Sequence, residues 1–131
     1  MATVACAYDG RLTHANRHAR EMLCAGSPPL GSYPDTWIRV LQPRTASGLA
    51  LPLEDLPPVR ALAGEVVAGV DVLVSLPAGE LLLETAARPA NDRRGRRRGA
   101  IVTLVDVTER RMLEGRMRRP GWVPWRSEPL G

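Results

Sequence analysis

Apolar positions recur at two different periods along this chain, and the change of period divides it into elements. Over residues 70–76, Val70, Val72, Val74 and Leu76 share one face and Asp71, Leu73 and Ser75 the other, the period-two signature of a strand. Pro77-Ala78-Gly79 turns the chain, and residues 80–88 alternate again with Leu81, Leu83, Thr85 and Ala87 on the matching face. A β-branched, apolar run over residues 100–105 puts Val102 and Leu104 inward and Ile101 and Val105 outward, which completes a three-stranded meander. Two shorter alternating runs, 3–8 and 11–15, are joined by Asp9-Gly10, a hairpin signal. Between these groups the pattern is helical but broken. Asn16 predicts a cap for a helix over 17–24 that stops at Gly26, residues 37–41 predict a turn with Trp37, Ile38 and Leu41 inward, and residues 58–63 predict a short helix closed by Gly64. Five antiparallel strands with short helices inserted between strands 2 and 3, followed by a C-terminal exit helix, make an α+β fold.

The third run of the meander passes straight into that exit helix. Asp106 is a good N-cap, and Glu109 stands where it reaches back to the cap's own backbone N–H, an Asp-x-x-Glu capping box. A helix over 109–118 is therefore expected to be coupled rigidly to the last strand. Met112, Leu113 and Met117 give it a short apolar stripe among arginines, too short for a coiled coil.

Composition narrows the functional classes. A length of 131 residues suits one domain, expected over 1–118, with a Pro- and Gly-rich tail at 119–131 carrying Trp122 and Trp125 that reads as disordered. Without Phe and with few aromatics, the core is built from Leu, Val, Ala and Met, which leaves room for a cavity. All 18 basic residues are Arg, but 14 acidic residues hold the net charge to +4, too little for a uniform nucleic-acid surface. The cluster Arg93, Arg94, Arg96, Arg97 and Arg98 reads as a solvated hairpin tip in a loop over 91–98, and nucleic acid is not an expected partner. Cys6 and Cys24 are isolated, lack metal-ligand spacing and read as small buried residues, and no signal peptide precedes them, which predicts a reducing, cytoplasmic setting. No apolar run nears the roughly 20 residues of a membrane span. Glu54 and Asp55 read as a solvated acidic turn, and no nucleophile elbow, phosphate loop or metal-binding helix motif occurs, so no enzymatic activity is expected.

The order of elements, together with particular residues, resembles the PAS domain. Asp9-Gly10-Arg11 resembles the family's first turn, His14-Ala15-Asn16 its entry into the first helix, and Ala87-Arg88-Pro89 with Gly95 and Gly99 its last hairpin. Asp106-Val107-Thr108-Glu109-Arg110-Arg111 resembles its terminus, and residues 51–65 are similar to a version found in actinobacterial PAS sensors. The likeness spans about 4–117. It implies a sensory domain that binds a small ligand or a partner and relays the change through its C-terminal helix, or alternatively a ligand-free dimerisation module. The cofactor stays unassigned, because neither the reactive-Cys motif of flavin-binding members nor the helix His of haem-binding members is present; His14 and His18 lie elsewhere and read as surface or hydrogen-bonded residues.

Three groups of residues follow. Val72, Val74, Leu83, Thr85, Val102 and Leu104 line the concave side of the sheet, with Met22, Leu23 and Leu62 closing over them, as a ligand cavity or a filled core. Asp106, Thr108 and Glu109 form the expected signal relay. Leu73, Leu82, Ile101 and Val105 form an exposed apolar patch on the outer face, expected to pair as a homodimer or to dock another signalling domain, since the chain starts almost at its first strand and leaves no room for a covering helix.

Overall fold

The computed structural model describes residues 1–23 and 26–115. Strands β1 (Ala2–Ala7) and β2 (Leu12–Ala15) form the opening hairpin. Helices α1 (Arg17–Leu23), α2 (Pro34–Leu41) and α3 (Pro57–Leu62) follow, with a 3-10 turn, Leu53–Asp55, before α3. Strands β3 (Val67–Leu76), β4 (Gly79–Asn91) and β5 (Arg97–Asp106) then make the meander, and helix α4 (Thr108–Leu113) leaves it. The sheet is antiparallel throughout, in the order β2-β1-β5-β4-β3, so the last strand returns to lie beside the first. This is the expected five-stranded α+β architecture. Cys24, residues 116–118 of the expected exit helix and the tail at 119–131 lie outside the described residues.

Local chemistry sets the boundaries. Asn16 caps α1, its side-chain oxygen accepting from the Ala19 N–H at 2.9 Å and from the Thr3 N–H at 3.1 Å, which also ties the helix start to β1. Both α2 and α3 begin one to three residues earlier than the apolar pattern implies, because Pro34 and Pro57 occupy the first turn, where a missing N–H costs nothing. The meander strands also run longer than expected. The arginine-rich loop shrinks to a tip in which the Asp92 carboxylate accepts from the Arg94 and Arg96 N–H groups at 2.8 and 3.0 Å. Pro89 is tolerated in β4 because pairing with β3 ends at Ala87, leaving its far edge without a ladder to interrupt. At Gly99, a Cβ would run into the carbonyl oxygen of Cys6 across the β1–β5 pair, so only glycine lets these two strands close.

The strand faces fall as the alternation requires, but the outer face differs from its expected exposure. Leu73 and Leu82 are 0% exposed, packed with Val107 and flanked by Ala46 and Val105. The expected patch is therefore corrected: Val107, at the turn into α4, and Ala46, from the segment before the 3-10 turn, bury its middle, while Ile101 and Val105 stay half-buried. The segment before the 3-10 turn covers the open edge of β3, where the Arg44 and Leu73 backbones exchange hydrogen bonds of 2.9 and 2.8 Å. The Arg44 guanidinium also donates to Ser75 and to Glu80, both at 2.6 Å.

Candidate functional site

Between the concave face of the sheet and the short helices lies a cavity of about 110 Å³. The structure places seven of the nine sequence-predicted residues on its wall: Leu23, Val72, Val74, Leu83, Thr85, Val102 and Leu104. The other two, Met22 and Leu62, pack against the same hydrophobic core without lining the cavity. Their place is taken by residues that the alternation of the meander does not reach. β1 and β2 bring Val4, Cys6 and Leu12, α2 brings Trp37 and Leu41, the loops contribute Leu56, Pro28 and Pro43, and the first turn of α3 adds Pro57 and Pro58. Trp37 is the most legible of these, as a large aromatic on the inward face of a predicted helical turn.

Polar groups around the cavity are already engaged or turned away. The Trp37 indole N–H donates to Ser32 Oγ at 3.0 Å, and the Thr85 hydroxyl donates to the Leu83 carbonyl at 3.3 Å. Ser27 borders the cavity but, like the rest of the lining, shows it almost no polar surface. Burial pushes the Cys6 thiol up from its ordinary range; its backbone hydrogen bond with Ala100 opposes this, and the negative charge of Asp9 adds to the rise. Cys6 is thus held as a neutral thiol. Among the described residues, no His, Asn, Gln or charged side chain lines the cavity. These residues do not fit a flavin or a haem, since the first needs partners for its amide edges and the second an axial ligand. His14 and His18 are exposed on β2 and α1.

On the other side of the sheet, two of the three relay residues, Asp106 and Thr108, belong to one hydrogen-bonded junction. Asp106 Oδ1 accepts from the Thr108 N–H at 3.0 Å and from the Thr108 hydroxyl at 2.7 Å. The same hydroxyl accepts from the Leu82 N–H at 2.8 Å, and the Leu82 carbonyl accepts from the Val107 N–H at 2.9 Å. The expected capping box is corrected here. The residue at the N-cap is Val107, which supplies no side-chain bond, and Asp106 acts from one position earlier by bonding to the helix's first residue. Glu109 is exposed in the first turn of α4.

Arg111 is the junction's largest feature missed by the pattern. It is 8% exposed, and its guanidinium donates to both Asp71 oxygens, at 2.8 and 3.3 Å, and to Glu84 Oε2 at 3.1 Å. The hydrogen bond to Asp71 is the main reason its pKa is raised further, with the charges of Asp71, Glu114 and Glu84 adding to it and burial opposing. In sequence, Asp71 is a polar residue on the outer face of β3 and Arg111 one arginine among many. Only the fold-back of α4 brings them together across 40 positions.

The Arg-rich tip divides in the same way. Arg93, Arg94, Arg96 and Arg98 are exposed. Arg97 turns inward instead, donating to the Leu62 carbonyl at the end of α3 at 2.6 Å and to Asn91 Oδ1 at 2.9 Å. Among the described residues, no helix is long and apolar enough to cross a membrane.

Comparison with known proteins agrees with this architecture. The fold matches the light-state dimer structure of Vivid, a fungal blue-light photoreceptor, with a TM-score of 0.57 and 17% identity over 80% of this chain and 76% of that one. It matches the PAS domain of BvgS from Bordetella pertussis with a TM-score of 0.51 and 18% identity over 87% of this chain and 80% of that one. A PAS domain from Colwellia psychrerythraea matches with a TM-score of 0.50 and 12% identity, over 82% and 86% of the two chains. No curated protein sequence matches the chain. The family model described as the PAS fold matches residues 1–112, nearly the whole described chain, and the protein belongs to the PAS family.

Proposed function

We propose that this chain is a sensory domain in which a small ligand occupies the cavity and changes the hold of the sheet on α4. One observation carries the reading: cavity and exit helix use opposite faces of the same two strands. Val72, Val74, Leu83 and Thr85 line the cavity, while the intervening Asp71, Leu73, Leu82 and Glu84 hold α4 or the cluster beneath it. A ligand that spreads or twists β3 and β4 alters the geometry offered to Arg111 and Thr108. It shifts the equilibrium of α4 by as much as its affinity for the two arrangements differs. Asp106 and Thr108 are the joint and Glu109 lies just beyond it.

Native mass spectrometry of the purified chain reports a retained small molecule. Hydrogen exchange then reads the coupling, with a Val74→Phe substitution standing in for an occupant. Altered protection of residues 107–115 in that variant is the expected result, and unchanged protection there with a folded sheet overturns the relay.

A second reading, a ligand-free dimerisation module, is supported by the strip of the outer face that α4 leaves half-exposed, where Ala5, Ile101, Thr103 and Val105 lie on adjacent strands. Leu73 and Leu82 are no longer part of such an interface. Vivid, which shares the fold, forms a dimer in its light state. Sedimentation at tens of micromolar decides the point for this chain, a monodisperse monomer excluding it.

A further inference from the structure

We infer that the cavity selects a small, uncharged, hydrocarbon-like molecule of about one aromatic ring in bulk, and rejects ligands carrying a carboxylate, an ammonium or several hydroxyls. This rests on the reading of the cavity as a ligand site and goes beyond it by fixing the ligand's chemistry.

Among the described residues, the roof of the cavity is poor in donors. Pockets ordinarily fix a polar ligand with a few well-placed groups, many of them backbone N–H donors brought in by loops. Here the loops bring Pro28 and Pro43 to the cavity and the first turn of α3 brings Pro57 and Pro58, none of which has an N–H to give. The sheet contributes none either, because its N–H groups are spent in the ladders that join β1, β3, β4 and β5. The Trp37 indole and the Thr85 hydroxyl are engaged as well, with Ser32 and Leu83. A ligand that needed hydrogen bonds would exchange its water partners for hydrocarbon and lose on transfer.

Size follows from volume. An engineered apolar cavity of roughly 150 Å³ stays dry and takes up benzene. At about 110 Å³, this one suits a single ring or a short branched chain, and two fused rings exceed it.

The test uses the full 131-residue chain and benzene, naphthalene and benzoate as probes, with thermal unfolding as the readout. Benzene at roughly tenfold above its Kd is expected to raise Tm by about 5 °C in a saturable way. Naphthalene and benzoate are expected to leave Tm unchanged. Val74→Phe should abolish the benzene shift; if that variant does not fold, the contrast between benzene and naphthalene on the wild-type chain carries the same information. Binding of benzoate without benzene, or of naphthalene as well as benzene, overturns the ligand class while leaving a ligand site in place. No shift with any probe, together with no retained mass in the native protein, removes the ligand-site reading and the inference with it.

Discussion

The two faces of the β3–β4 hairpin are built on opposite principles. The inner face meets loops rich in proline and a wall of aliphatic side chains, and leaves a void of about 110 Å³. On the outer face Leu73, Leu82 and Val107 close on one another, and Arg111 stitches α4 to Asp71 and Glu84 with directional, charge-assisted bonds. Non-directional packing tolerates a change of contents, whereas a fork of hydrogen bonds has one preferred geometry. The same strands therefore join a compliant side to a stiff one, which is what a device that converts occupancy into position needs.

The largest effect expected from breaking this contrast is on the stiff side. Leu82→Ala removes a side chain that is 0% exposed and packed against Leu73 and Val107, and should cost about 3–5 kcal/mol. Val74→Ala on the cavity side should cost less, about 1–2.5 kcal/mol, because its side chain already borders a void and forfeits fewer contacts. Urea unfolding of the two variants checks the order, and equal losses would mean that the cavity is in practice filled.

The contrast also marks how far the sequence can be read. Period-two alternation assigns the inner and outer faces of residues 70–76, 80–88 and 100–105 correctly, since a strand's pleat leaves no other choice. It does not say what covers the outer face, and so leaves Leu73 and Leu82 at the surface. Their cover is Val107, at the turn into α4, and Ala46, and α4 beyond that turn is tied to β3 by the ion pair between Arg111 and Asp71; no local pattern encodes a partner 40 residues away. The cavity floor is legible for the same reason as the strands. Its roof is less so, because Pro28 and Pro43 come from irregular segments whose path is set by tertiary packing, while Pro57 and Pro58 sit in the first turn of α3.

Removing that ion pair should have a more local effect than Leu82→Ala. In Arg111→Met the aliphatic stem is kept and the fork lost, leaving Asp71 and Glu84 close together without their shared cation. Amide protection over residues 108–115 is expected to fall about tenfold, while β1 and β2 keep theirs, because the helix opens as a unit separate from the far side of the sheet. Asp71→Asn should give a smaller loss in the same segment, since Glu84 still holds one nitrogen of the guanidinium. A uniform loss across the whole sheet would show that α4 is part of the global core and cannot move independently.

The smallest effect is expected at Thr85, the one hydroxyl on β4 that faces the cavity. Its hydroxyl donates to the carbonyl of Leu83 two residues back on the same strand, at 3.3 Å, a long bond for a hydroxyl donor. Replacing it with valine keeps the β-branch and the strand preference while removing one buried polar group. The lost bond and the gained apolar burial should nearly cancel, leaving stability within about 0.5 kcal/mol of wild type in urea unfolding. The consequence for binding is more informative than the stability. If the cavity is apolar in function as well as composition, Thr85→Val binds benzene at least as tightly as the wild-type chain, because the wall becomes more nearly hydrocarbon. Weaker binding of benzene by this variant would mean that the Thr85 hydroxyl turns away from Leu83 to meet the ligand, and that the inner face is less indifferent to direction than its packing implies.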